Sequence, residues 1–166
     1  MKCWQIADHR DARQVDSGSI KNRAERPTMR LLFVTSRCPY PPIQGDRLRA
    51  YHQLRLLARH HRITLVIPLQ NVRDRQSVET LSSLCQRIEG IPFSKWQAVL
   101  RLTGAPFSAL PLQTLLFFDP RARQKVQALL EETSFDLIHI LLARMEPIVD
   151  GLGNIPKVLD LVDALS

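Results

Sequence analysis

The chain has 166 residues, a one-domain length, with 45% hydrophobic residues and a formal net charge of +7. This hydrophobic fraction supports a buried core and excludes general disorder. No apolar run reaches the length of a membrane span, and three cysteines without metal-ligand spacing favour reduced thiols in a cytoplasm and no bound metal.

The positive charge favours anionic partners such as nucleotide phosphates or a lipid surface, and solubility alone explains it equally well. No nucleic-acid recognition motif accompanies the charge, so nucleic acid is not expected as a partner. Residues 1–28 are polar and aperiodic, which predicts a disordered lead, and Met29 is an alternative start of the protein.

The first structured element is predicted over residues 30–35, whose continuous apolar run is typical of a buried parallel strand. The loop 36–45 contains three prolines and cannot be helical. Asp46 is a good N-cap for a helix that begins at Arg47. One face of that helix is apolar and is formed by Leu48, Tyr51, Leu54, Leu57 and Ala58.

A second buried strand is predicted over residues 63–67, where Pro68 stops it. A weak third strand ends at residues 91–93, and Ser94 then caps a helix with Trp96 facing inward, together with Val99 and Leu100. Between these two strands, the spacing of apolar side chains predicts a second helix with a buried face formed by Val78, Leu81, Leu84, Cys85 and Ile88.

The second half of the chain continues the alternation of helices and strands. Asp119 and Pro120 are a cap and first-turn pair, and they begin a helix with Ala122, Val126, Leu129 and Leu130 at helical spacing. Strands are predicted over residues 135–141 and 158–163. This order predicts an α/β, Rossmann-like parallel sheet with helices on both faces.

Ligands bind such sheets beyond the carboxyl ends of the strands, where the strand order reverses. That rule selects the loop 36–49, the turn 142–145 and the segment 163–166 as candidate site regions. Asp163 could orient or deprotonate an acceptor hydroxyl, with a capping role as the alternative. His139 lies within a strand and is expected to be a satisfied core histidine, and Asp160 is expected to be a paired structural group.

Three blocks of sequence resemble one protein family. They are the opening block, which is formed by residues 29–35, Cys38-Pro39-Tyr40-Pro41-Pro42 and residues 45–52, and the later segments 135–139 and 158–163. Together they are similar to the start of family-four GT-B glycosyltransferases, and most similar to the sugar transferases associated with PEP-CTERM/exosortase gene clusters. The resemblance covers roughly residues 29–166 and implies the amino-terminal, acceptor-side domain of a two-domain enzyme.

The resemblance implies hexosyl transfer from a nucleotide-sugar to a saccharide or lipid-linked acceptor, with a role in exopolysaccharide biosynthesis at the inner face of the plasma membrane. The paired-glutamate motif of the family's donor-binding domain is not found, so the domain 29–166 is expected to be incomplete and inactive alone. The family's histidine near the end of the fifth strand is not found either, and Val162 or Asp163 takes its place.

The strand-one loop is the strongest candidate for phosphate and substrate binding. Gly45 permits close backbone approach, and a helix N-terminus at Asp46 and Arg47 favours an anion. Arg47 and Arg49 add charge-assisted hydrogen bonds, and Arg144 follows the fourth strand, where it could meet an acceptor phosphate. The alternative is a plain turn with solvated arginines.

Peripheral contact with an anionic membrane is a further expectation. An apolar set beside Lys95, Arg101, Arg121 and Arg123 could rest on a bilayer or belong to the core; it is formed by Trp96, Phe107, Leu110, Leu112, Leu115, Phe117 and Phe118. Two further alternatives for the whole chain are a stand-alone module that binds a phosphate-bearing ligand and a non-functional truncated product. No cofactor is expected beyond the nucleotide-sugar donor of the complete enzyme.

Overall fold

The computed structural model describes residues 28–93, residue 96 and residues 119–161. Its strands are β1 Arg30–Val34, β2 Arg62–Leu69, β3 Arg87–Pro92, β4 Leu137–Leu141 and β5 Lys157–Asp160. Its helices are α1 Gly45–Leu57, α2 Val72–Ser82 and α3 Pro120–Glu132, and a 3-10 helix, Ala143–Ile148, follows β4.

The strands form one parallel sheet in the order β3-β2-β1-β4-β5. Helices α1 and α2 cover the face that contains Phe33 and Leu65. Helix α3 and the 3-10 helix cover the opposite face, which contains Leu32 and Ile138. This arrangement confirms the predicted α/β, Rossmann-like fold with helices on both faces.

The continuous apolar runs of the central strands follow from burial on both faces. In β1 every side chain from Leu31 to Val34 is at most 1% exposed. Neighbouring side chains on a strand point to opposite faces, so a strand with helices on both sides needs apolar residues at every position. Strands β2 and β3 are added on one side of β1, and β4 and β5 are added on the other side. The topological switch point therefore lies between β1 and β4.

Helix α1 begins two residues earlier than the sequence predicts. Gln44 occupies the N-cap position, and Asp46 lies in the first turn, where its Oδ1 accepts the backbone N–H of Arg47 at 2.9 Å. The predicted inward position of Leu48 is wrong, because this side chain is 44% exposed. Ala50 and Leu54 are the buried residues of the helix.

Two boundaries on the β2–β3 side also differ from prediction. Strand β2 continues through Pro68, which pairs with Ile91 of β3. Helix α2 ends at Ser82, so Ile88 lies in β3 and not in the helix. Proline is tolerated near the end of a strand, where the loss of one donor removes little of the ladder.

Helix α3 confirms the prediction made from Asp119 and Pro120. The Asp119 side chain accepts the N–H of Arg121 at 2.9 Å, and Pro120 occupies the first helical position. Ala122, Val126 and Leu129 are buried. The signal was local, which explains why the sequence was sufficient to locate this helix.

Several predictions lie outside the described residues. They concern residues 1–27, Ser94, Val99, Leu100, the segment 105–118 and the segment 162–166 with Asp163. Trp96 is described and helical, but it is 72% exposed, so the prediction that it faces inward is wrong. Within the described part of the chain, none of the helices has the length and hydrophobicity needed to traverse a bilayer.

The N-cap of α2 provides a test of the local structure. The Asn71 side chain accepts the N–H of Asp74 at 2.8 Å. We expect Asn71→Ala to lower the free energy of unfolding by about 1 kcal/mol, because the first turn loses its capping acceptor. Asn154→Ala, in an exposed loop, is the control, and equal urea-denaturation midpoints for the two variants would contradict this role.

Candidate functional site

The switch point brings together the loop after β1 and the turn after β4. Thr35 and Ser36 begin the loop and are each 1% exposed. The turn begins at Leu142, a buried residue with a φ of 79°, whose N–H donates to the Asp160 carbonyl at 3.0 Å. A non-glycine residue with a positive φ strains the backbone by about 1–3 kcal/mol, and such residues cluster at functional sites.

A carboxylate occupies the start of α1. Asp46 accepts the Arg47 N–H, and its Oδ2 lies 3.7 Å from Nη1 of Arg37. The same Nη1 donates to the Gln44 side chain at 3.0 Å. The helix N-terminus therefore already holds one negative charge, which Arg37 partly offsets, and any bound phosphate would lie beside this pair.

Gly45 has a role that differs from the one expected of a turn glycine. A Cβ built at this position has no neighbour within 4 Å, and the residue lies in the first turn of the helix. The fold itself therefore does not require glycine here. An exposed backbone without a side chain remains suited to close approach by a ligand.

Arg47 has an unusual environment for an arginine. It is half-buried, and its Nε is buried with no hydrogen-bond partner among the described residues. Burial raises the pKa of the Cys38 thiol, and the positive charge of Arg47 partly opposes that rise. A buried N–H without an acceptor is costly, so this position suits an additional acceptor such as a phosphate oxygen.

Arg49 is held by a carboxylate of the protein. Its Nε and Nη2 donate to the two Asp160 oxygens at 3.0 and 2.8 Å. Gln53 Nε2 donates to the same carboxylate at 2.6 Å. Burial disfavours the charged form of Asp160, but the hydrogen bonds from Gln53 and Arg49 outweigh it and hold the pKa below its usual value. We name Arg49, Gln53 and Asp160 the α1–β5 clasp.

His139 lies next to the clasp. Its ring stacks on Phe33 with centroids 4.5 Å apart and an interplanar angle of 16°. Its Nε2 is buried without a hydrogen-bond partner in the described chain, so the expectation of a satisfied core histidine is wrong. Burial lowers the pKa of His139, the charge of Asp160 opposes this, and the charge of Arg49 adds to it.

The low pKa of His139 predicts a pH-dependent stability. The unfolded chain takes up the proton near pH 6.5, and the folded chain takes it up only at lower pH. Stability should therefore fall as the pH drops from about 6.5 towards the folded pKa. We expect His139→Phe to flatten this slope, measured by urea denaturation from pH 7 to pH 5. His60→Gln, an exposed change, should keep it, and an unchanged slope in His139→Phe would contradict the prediction.

The remaining predicted site residues are only partly brought together. Arg144 is half-buried in the 3-10 helix after β4, and like Arg47 it follows the carboxyl end of a central strand. Asp163 lies outside the described residues. Sequence reasoning included Arg37 only as a member of the loop 36–49, without a role of its own, and did not include Gln53 in this region. The i, i+4 spacing of Arg49 and Gln53 on one helix face was the available signal, but its partner is distant in sequence.

No cluster of three or more His, Cys, Asp or Glu side chains in the described ranges could hold a metal ion. Comparison with family models, with curated proteins and with solved structures found no match to this chain.

Proposed function

We propose that this chain is the acceptor-side domain of a GT-B glycosyltransferase, which transfers a hexose from a nucleotide-sugar to a saccharide or lipid-linked acceptor. One observation carries the proposal: two of the sequence blocks that resemble this family meet in space. Arg49 belongs to the first block and Asp160 to a later one, 111 residues away, and they form a two-bond ion pair.

The position of this contact supports the proposal. The clasp joins α1, which follows the β1 loop, to the end of β5, and both lie beside the switch point where open α/β sheets bind ligands. A crevice there could hold the acceptor against a donor-binding domain and so supply orientation. Arg37, Arg47 and Arg144 would provide positive charge for the departing diphosphate.

Two residues have narrower roles in this proposal. Arg47 would donate its buried Nε–H to a phosphate oxygen. Asp163 follows the β5 region and would orient or deprotonate the acceptor hydroxyl. We further propose that the reaction takes place in the cytoplasm at the inner face of the plasma membrane, in exopolysaccharide biosynthesis.

Activity provides the direct test. We expect the chain alone to transfer no sugar from common nucleotide-sugars, because the donor-binding residues that the family uses are not found in it. Joined to a GT-B donor-binding domain, it should acquire hexose transfer to a saccharide or lipid-linked acceptor. Turnover by the chain alone that an active-site change abolishes would contradict the first expectation, and an inactive, folded two-domain protein would contradict the proposal.

Two other functions remain as candidates, each with one observation in its favour. The buried, unpartnered Nε of Arg47 would also suit a stand-alone module that binds a phosphate-bearing ligand. The exposed apolar side chains of β5 and the residue after it, Val158, Leu159 and Leu161, would suit a domain that needs a covering partner. Phosphate binding by the isolated chain favours the first candidate, and aggregation that a partner domain prevents favours the second.

A further inference from the structure

A small pocket lies at the carboxyl ends of β1, β2 and β3, on the face of the sheet that α3 covers. Its volume is about 360 Å³ with the mouth included, and about 20 Å³ of this admits the centre of a water-sized atom. Ala122 closes it from the first turn of α3, and Met145 and Ile148 close it from the 3-10 helix. We name it the β1–α3 pocket.

The walls of the β1–α3 pocket are mostly apolar and buried. Val34, Val66 and Ile148 are each at most 2% exposed. The innermost space of about 20 Å³ is room for one water-sized atom, so neither a sugar ring nor an aliphatic chain enters it completely. A ligand therefore inserts one small terminal group between apolar walls and keeps the rest of its atoms in the mouth.

The charges at the β1–α3 pocket favour a neutral group. The described residues that line it include no arginine or lysine, and they include the Asp119 carboxylate, which is 4% exposed. A phosphate or carboxylate inserted there would lie beside a like charge without a cation in the lining. Asp119 already accepts the N–H of Arg121 at 2.9 Å as the cap of α3, so a buried ammonium group would have to share its only counter-charge with the helix.

Two hydroxyl side chains lie where β1 meets the pocket. Thr35 and Ser36 line it and are each 1% exposed. Thr35 Oγ1 donates to the Arg37 carbonyl at 2.8 Å, whereas the Ser36 hydroxyl forms no hydrogen bond with any described residue. A hydroxyl offers one donor and two acceptor lone pairs, and a buried one without a partner is costly. Ser36 therefore suits a ligand group that can both donate and accept, such as another hydroxyl.

We propose that the β1–α3 pocket binds a hydroxymethyl group, the –CH2OH end of a sugar or of a short alcohol. The hydroxyl exchanges a hydrogen bond with Ser36, and the methylene packs against Val34 and Met145. A water molecule could bond with Ser36 equally well, but it would leave the apolar walls without a carbon to contact. The inference does not depend on the proposed sugar transfer, because it concerns binding by this chain alone.

The test is titration of the full chain with three probes, followed by the amide chemical shifts of its ¹H–¹⁵N spectrum. Methyl glucoside carries a hydroxymethyl group on a ring, methyl xyloside has the same ring without that group, and 1-propanol has the group without a ring. We expect methyl xyloside to bind about ten-fold more weakly than methyl glucoside, because it lacks both the methylene and the hydroxyl. Tighter binding of methyl glucoside than of 1-propanol supports a sugar as the source of the group, and the reverse supports a short alcohol.

Two variants assign the binding to this pocket. Ala122→Leu fills the space and should abolish binding, whereas Ala128→Leu, an exposed change on the same helix, is the matched control and should keep it. Ser36→Ala keeps the space and should weaken methyl glucoside about five-fold, which decides the question if Ala122→Leu does not fold. Circular dichroism establishes that each variant is folded. Equal binding of methyl glucoside and methyl xyloside, unchanged binding by both pocket variants, or binding of none of the three probes would overturn the proposal.

Discussion

Replacing Asp160 with alanine is expected to lower the free energy of unfolding by about 2 kcal/mol, although the residue lies on an edge strand. The change removes the acceptor of three hydrogen bonds, two from Arg49 and one from Gln53. The Asp160 side chain is 12% exposed and that of Arg49 is 52% exposed. Solvent therefore screens the arginine side of the pair and keeps the expected loss below the sum of three charge-assisted bonds.

A double-mutant cycle separates the ion pair from other effects of the truncation. We expect Arg49→Met and Asp160→Ala to be coupled by about 1 kcal/mol, because they share two hydrogen bonds. Arg55→Met, an exposed change on the same helix, is the control and should add to Asp160→Ala without coupling. Urea denaturation gives the free energy of unfolding of the wild type, the three single variants and the two double variants. Full additivity of Arg49→Met and Asp160→Ala would show that the Arg49–Asp160 ion pair does not stabilise the fold.

The clasp also predicts a contribution to the free energy of unfolding that is lost in acid. The folded pKa of Asp160 lies below its unfolded value, so its contribution is complete above about pH 4 and is lost as the pH falls through the folded pKa. Asp160→Ala should therefore unfold at low pH with a weaker dependence on pH than the wild type. The loss from Asp160 begins below about pH 4, whereas that from His139 begins below about pH 6.5, so a pH series extended below pH 4 tests both groups.

Local signals in the sequence were sufficient for most of the architecture. Apolar runs identified the central strands because both faces of β1 are buried, and Asp119 with Pro120 identified the start of α3. The start of α1 was misplaced because Gly45 adopts a helical conformation, whereas a glycine before an aspartate is usually expected to lie in a turn. Ile88 satisfies a helical spacing and a strand spacing equally, and only sheet pairing decides between them.

The candidate site was less predictable because its contacts are long-range. The sequence suggested that Asp160 is a paired group, and the structure confirms this, but no local pattern could name Arg49 and Gln53 as its partners. The same contact changes the role expected of Arg49. Its side chain was expected to meet phosphate, whereas the structure shows it occupied by a carboxylate of the protein. Arg47, one helical half-turn away, has the unpartnered donor.

This distinction sharpens the test of phosphate binding in the proposed two-domain glycosyltransferase. We expect Arg47→Ala to reduce kcat/KM by about one to two decades, because one charge-assisted hydrogen bond of about 1.5–3 kcal/mol is lost. Arg47→Ala with Arg49→Ala should reduce it by about two to four decades if both side chains meet phosphate. The double variant also breaks the clasp, so its kinetics must be measured well below its melting temperature.

Gly45→Val provides the independent comparison. A side chain at residue 45 meets no atom within 4 Å, so the variant should fold normally, and a plain turn would tolerate it without loss of activity. A phosphate that approaches the backbone closely would collide with the new side chain, and transfer would fall while the melting temperature stays near that of the wild type. Steady-state kinetics beside a melting curve distinguishes these outcomes. If Gly45→Val and Arg47→Ala are both folded and both retain normal kinetics, phosphate does not bind at the start of α1, and the positive charge there serves only to offset Asp46.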